Sequence, residues 1–223
     1  MNPTKIQQHI STDRFQKYLN RCSNDYIKAI ALYEVNTKLS QELYTILNHY
    51  EVALRNGINY HFTNKYHSPE WYNQWLLDSN FASYQHKILS TKQMIDRRRE
   101  TPSSGKVIAE FTLGFWSQMF NANQERLLWS ELRKVFRNIP RTQRRRTTIG
   151  PYIQKIRKFR NRVYHYEPIC WNFRGLERNY ENIIQVIEWI DSDLHQWVTN
   201  QCTFKSQLAS LEVDLSNKGV PTT

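Results

Sequence analysis

Arg160-Asn161-Arg162-Val163-Tyr164-His165 holds side chains that together suit one reaction, the cleavage of RNA by its own 2′-hydroxyl. The nucleophile already belongs to the substrate, so a protein promoting this attack needs neither a metal nor a covalent residue. An imidazole titrates near neutrality and can take up and return a proton. A guanidinium grips a phosphate bidentately and offsets the charge added in the pentavalent transition state. A carboxamide holds either group in orientation. Arg160, Asn161 and His165 are therefore the candidate catalytic residues, with no cofactor and no metal expected.

On a helix Asn161 and His165 share a face, because positions four apart differ by only ~40°. Arg160 lies ~140° round from His165 by the same pitch, but its long side chain can swing toward the same cleft. Tyr166-Glu167-Pro168 then takes the chain out of the helix, which leaves His165 near a helix end where a ligand can approach. An isolated His165 would read more readily as a helix-terminal residue facing the macrodipole. The Arg and Asn beside it, within basic surroundings, tip the reading to catalysis.

Those surroundings are unevenly charged. Between Lys87 and Arg162 there are 19 Lys and Arg against 5 Asp and Glu, while the rest of the chain holds 12 against 15. The whole excess of +11 thus lies in one central third of the sequence. Clustered cations gain by displacing counterions from a phosphate backbone, so a polyanion, here RNA, is the expected partner. Arg97, Arg98, Arg99, Arg141, Arg144, Arg145, Arg146, Arg157, Lys158 and Arg162 are the candidate RNA-binding cations. Charge runs are usually solvated helix faces, and the segregation is what favours an RNA surface. Tyr164 and Tyr166, with Trp171, either stack on bases or serve as core or dimer-interface aromatics.

The elements that must position these residues read as helices throughout. Six Gly and seven Pro are few for a sheet protein full of tight turns. Ser11-Thr12-Asp13 offers caps, and Phe15, Tyr18, Leu19, Tyr26, Ile30 and Tyr33 recur at helical spacing, as two helices. From about Asn36, Leu39, Leu43, Ile46, Leu47, Tyr50, Leu54 and Ile58 form one stripe of a long helix that Tyr66-His67-Ser68-Pro69 ends. Trp71 to Leu77 is an aromatic connector, followed by a helix over Tyr84 to Arg99 and a loop at Thr101 to Gly105. Val107 to Phe120 is apolar and interrupted by Gly114, with Phe111, Phe115, Trp116 and Phe120 filling the core around it. Arg126 to Phe136 is amphipathic. Gly150-Pro151 marks the start of the helix that carries the motif, with Tyr152, Ile156, Phe159 and Val163 on one face. Phe173 to Ile190 is a further long helix, and shorter ones follow from Ser192 and near Phe204 to Val213. The expectation is an all-α bundle, one domain over residues 1–215 with a flexible tail at 216–223.

Several classes find no support. Cys22, Cys170 and Cys202 are odd in number without short spacing, so they read as reduced thiols, and seven His show no metal-site pattern. No phosphate loop or nucleophile elbow occurs. The N-terminus lacks the apolar run of a signal peptide and no stretch reaches the ~18 apolar residues of a span, which makes the expected setting the cytoplasm, without a membrane partner. Arg55-Asn56 with His61 forms a looser Arg-Asn…His pattern, but six residues put Arg55 and His61 on different faces, which favours a structural role.

Arg-Asn-x-x-x-His at a helix end resembles the HEPN ribonuclease motif, and its context resembles the Abi-like (abortive infection, AbiD/AbiF-type) family. The matching blocks are Tyr33-Glu34, Glu51 to Asn56, Val107 to Trp116 and Arg160 to Ile169, in the family's order within Ser11 to Trp197. The resemblance implies a HEPN-like helical bundle with extra helices and an anti-phage or toxin-like role, in abortive infection or a toxin–antitoxin pair. It also implies a homodimer in which the Arg and His of two subunits meet across a composite site. Tyr166 stands where many members have a second His, so His165 alone would carry proton transfer. Cellular or phage RNA is the substrate so implied, with a non-coding RNA as a possible regulator. The alternative is a non-catalytic RNA-binding protein that assembles with a structured non-coding RNA. A dimeric DNA-binding regulator is weaker, because no clear helix-turn-helix stands out.

Overall fold

The computed structural model describes residues 3–220, and among them every regular element is an α-helix or a short 3-10 turn. The chain divides into two compact units, one of Met1–Asn48, Lys158–Ile184 and Trp197–Thr223, the other of His49–Arg157 and Gln185–Gln196. No helix is long and apolar enough to cross a membrane.

The first unit begins with α1 (Pro3–Ile10) and α2 (Thr12–Arg21). Ser11 caps α2 by accepting from the Arg14 N–H, and Phe15, Tyr18 and Leu19 turn inward from it. Ser23 and Asn24 both take left-handed backbone in the turn that follows. Asp25 then caps α3 (Tyr26–Tyr66), its carboxylate accepting from the Ile27 and Lys28 N–H groups. Tyr26 to Tyr33 therefore belong to the long helix itself and not to a separate one before Asn36. Leu32, Leu39, Leu43, Ile46 and Leu47 are buried along this part of α3. The end of α9 (Arg146–Tyr164), the start of α10 (Phe173–Ile190), the end of α11 (Ser192–Gln201) and α12 (Phe204–Asn217) complete the unit. Phe204 stacks on Tyr180 at 4.7 Å, and Thr203 donates to the Glu42 carboxylate. Ser216 and Asn217, where a tail was expected to start, close α12. Val220 is buried with its N–H on the Leu215 carbonyl, and residues 221–223 lie outside the described residues.

The second unit is built on aromatic side chains. The connector Trp71 to Leu77 forms the one-turn helix α4 (Tyr72–Trp75), and α5 (Ala82–Arg97) follows. Trp71, Trp75, Phe62, Phe81 and Tyr84 pack with ring centroids 4.2–6.3 Å apart, mostly edge to face. The indole N–H groups are satisfied locally: Trp71 donates to Asn59, Trp75 to the Tyr66 hydroxyl and Trp116 to the Phe111 carbonyl. The interruption between Val107 and Phe120 falls at Phe111 and Thr112. Thr112 caps α7 (Leu113–Gln118) after α6 (Ser104–Glu110), so Gly114 lies inside a helix. Phe111, Phe115, Trp116 and Phe120 are buried, as the sequence predicts. α8 (Glu125–Leu132) runs into a 3-10 turn, Arg133–Val135. α9 begins four residues before the predicted Gly150, because the carbonyl of Arg145 already accepts from Thr148 and Ile149. Gly150 is instead where the helix passes the Phe120 carbonyl, which a Cβ would meet at 3.1 Å.

Candidate functional site

The last turns of α9 and the chain just after it belong wholly to the first unit. Phe159 and Val163 are buried and fix which side of these turns faces inward; Asn161 and Arg162 are left exposed. The His165 N–H still bonds to the Asn161 carbonyl at 2.9 Å, so His165 follows Asn161 by one helical turn at the point where the helix stops. The stop has a defined chemistry. Tyr166 takes φ 55°, its N–H donates to the Val163 carbonyl, and the Glu167 N–H reaches back to the Arg162 carbonyl. This is a Schellman closure with tyrosine where glycine is usual, at a cost of about 1 kcal/mol for the left-handed backbone.

Three side chains hold that closure. Arg162 donates to the Pro168 carbonyl and pairs with the Glu167 carboxylate at 3.4 Å. Asn36, buried on α3, accepts from the Ile169 N–H at 2.7 Å and donates to the Glu167 carbonyl at 3.4 Å. Arg14 of α2 donates to the His165 carbonyl at 3.4 Å, with its guanidinium 5.9 Å from the Tyr166 ring. His165 and Tyr166 are themselves exposed.

Arg160 lies over the Tyr164 ring, its guanidinium carbon 3.7 Å from the centroid, and Tyr164 stacks on Tyr44 at 4.8 Å with the rings 19° from parallel. Tyr164 and Tyr44 are also walls of a cleft of about 440 Å³, with Tyr33, Asn36, Thr37, Ser40, Gln41, Val163 and Tyr166. Arg160 therefore touches the cleft through one of its wall rings, and the cleft's volume is in the range of small-molecule sites. Asn36, Arg14, Tyr44 and Gln41 are the residues that sequence reasoning missed. For Tyr44 and Gln41 a signal existed: Tyr33, Thr37, Gln41 and Tyr44 repeat at helical spacing, a polar and aromatic stripe beside the apolar one. Arg14 gave none.

The other basic candidates sort by what they touch. In the second unit, Arg98 pairs with Glu110 and Glu100, Arg146 pairs with Glu125 at 2.7 Å, and Arg144 donates to the carbonyls of Arg137 and Ile139. These side chains tie the protein to itself. Arg97, Arg99, Arg141 and Arg145 are exposed, and the Arg157 Nε is buried without a hydrogen-bond partner. In the first unit Lys158 is exposed, whereas Arg162 is committed to the turn. Trp171 packs edge-on against Tyr18. Arg55 and Asn56 border one cleft of the second unit and His61 another, so the looser Arg-Asn…His pattern does not converge. Burial pushes the His61 imidazole below its usual value, and the neighbouring Arg137 and Lys134 add to this.

The described residues thus define an all-α protein in which a helix end presents Arg160, Asn161 and His165 beside a polar, aromatic cleft. The chain belongs to the Abi-like protein family, whose model matches residues 5–172, about three quarters of the sequence. The match covers every block of the resemblance and ends just before α10, short of Trp197. No curated protein and no solved structure matches the chain. Membership suggests an abortive-infection-type function and is consistent with a nuclease.

Proposed function

We propose that this chain is a metal-independent endoribonuclease of the HEPN type, acting in anti-phage defence as an abortive-infection or toxin–antitoxin effector. The observation that carries the reading is the closure at the end of α9. It leaves His165 exposed one turn beyond Asn161, between Tyr164 and Tyr166 of the cleft wall, with the Arg160 guanidinium lying over the Tyr164 ring. In the reaction the 2′-oxygen attacks the adjacent phosphorus and its proton passes to an imidazole. The 5′-oxygen of the downstream strand leaves with a proton, giving a 2′,3′-cyclic phosphate and a 5′-hydroxyl. Arg160 balances the phosphorane charge, Asn161 positions, and a homodimer supplies a second imidazole so that one His gives the proton the other takes.

The test is incubation of total RNA with the wild type, Arg160→Ala and His165→Ala, with and without EDTA, and mapping of fragment ends. Cyclic-phosphate ends that survive EDTA and vanish in both variants are expected. Cleavage that persists in both variants, or that strictly requires Mg²⁺, overturns the reading. The packing of Arg160 on Tyr164 favours a second reading, an RNA-binding protein without catalysis. Co-purifying RNA with intact ends, uncut by the wild type, would decide for it.

A further inference from the structure

The cleft beside the motif has a composition that the cleavage chemistry does not use. Its lining holds four phenolic rings, two carboxamides, two hydroxyls and the aliphatic Val163, and no charged side chain. A phosphate would call for cations there, and an alkyl ligand for aliphatic walls. Aromatic faces with neutral hydrogen-bonding groups suit a planar heterocycle.

Three of its polar side chains are already engaged. Asn36 is bonded to Ile169 and Glu167, the Thr37 hydroxyl donates to the Tyr33 carbonyl, and the Ser40 hydroxyl donates to the Asn36 carbonyl. Gln41 is exposed on the cleft wall, and its side chain makes no hydrogen bond to the described residues. Its carboxamide offers both a donor and an acceptor, the pattern that a base edge meets. Tyr44, one turn further along α3, is 55% exposed, which leaves ring surface for stacking despite its contact with Tyr164. Arg160 lies over Tyr164, so a positive charge stands one ring removed from the lining.

We infer that this cleft is a base-reading subsite, seating one unpaired RNA base against Tyr44 with its edge on Gln41, and so setting the nucleotide next to the cut. This rests on the ribonuclease reading for its link to cleavage but not for the binding itself. Only single-stranded or looped RNA can present a base so, which makes unpaired RNA the substrate class.

Hexamers of A, C and U carrying 2′-O-methyl groups cannot be cut, and serve as probes in fluorescence anisotropy with the wild type, Tyr44→Ala and Gln41→Leu. Both side chains are exposed, and circular dichroism verifies the fold of each variant. The wild type should rank the three hexamers unequally. Tyr44→Ala should weaken the preferred one roughly tenfold, as for loss of one stacking platform. Gln41→Leu should level the ranking. Equal binding by all three proteins overturns the subsite, as does a loss in Tyr44→Ala that tracks a change in oligomer mass, which would make the cleft a contact between copies. Unmodified hexamers separate the two readings. An altered base ranking without any cleavage by the wild type sinks the nuclease and keeps the subsite. Cleavage with an unchanged distribution of cut sites in Gln41→Leu sinks the subsite and keeps the nuclease.

Discussion

Replacing Asn36 by alanine tests whether the turn that presents His165 is held from α3. Asn36 is 3% exposed and Ile169, whose N–H it accepts at 2.7 Å, is 5% exposed. The substitution removes a partner from a buried backbone N–H, which costs about 1–3 kcal/mol in unmet desolvation. The bond to the Glu167 carbonyl, at 3.4 Å, adds little. A loss of about 2 kcal/mol corresponds to a fall in Tm of roughly 4–8 °C for a chain of this size. Ser40→Ala is the control, since Ser40 is buried on the same helix but its hydroxyl only donates to the Asn36 carbonyl, within α3. Losing that bond orphans no N–H group, so its effect should stay within about 0.5 kcal/mol. Thermal unfolding followed by circular dichroism measures both. Equal Tm shifts in the two variants would refute the claim that Asn36 acts through the post-motif chain.

In the second unit, a Cβ at Gly57 would stand 2.8 Å from Val135 Cγ1, so Gly57→Ala should destabilise by about 1–2 kcal/mol despite its better helix propensity. Adding Val135→Ala should remove that clash, and a double variant no better than additive in chemical denaturation would contradict it. Burial pushes the Cys170 thiol up to about 12, raises Cys22, and holds the phenols of Tyr18, Tyr50 and Tyr84 above their ordinary range. The unfolded chain then loses these protons first, so stability should be flat below about pH 9 and fall as pH rises beyond it; a Tm unchanged up to pH 11 would count against this. On the proposed ribonuclease reading, Tyr164→Leu removes the ring under Arg160 and should lower cleavage of total RNA by roughly 2- to 30-fold, the worth of about 0.5–2 kcal/mol of cation–π contact, with Tyr164→Phe near wild type.

The helices were legible where one apolar stripe has clear ends. Phe173–Ile190 is bounded as the sequence predicts, because its inward residues follow one face and turn residues flank it. The polar Asn36 broke the pattern and suggested a new helix after it, since its partners lie more than 130 residues away and leave no local trace. The helix end at His165 was legible through Pro168, but the strained tyrosine that closes it was not, because glycine is the usual signal for left-handed backbone. The charge run was the least resolved. Periodicity cannot separate exposed Arg141 and Arg145 from Arg144 and Arg146, whose partners are carbonyls and a carboxylate set by tertiary folding.

That sorting changes what the motif asks of its arginines. A guanidinium bonded to a carboxylate commits a donor and much of its field there, as the Arg146 Nε does with Glu125. One laid on a ring face is held through the quadrupole of the ring beneath it. Arg162 and Arg160, two residues apart, divide along that line: Arg162 is bonded to the turn it stabilises, and Arg160 is laid on Tyr164 at the cleft. Two arginines of the same helix end thus make different contacts, one closing the turn and the other packing on a ring of the cleft wall. Lysine could replace neither fully, since both the planar stack and the forked donors would be lost.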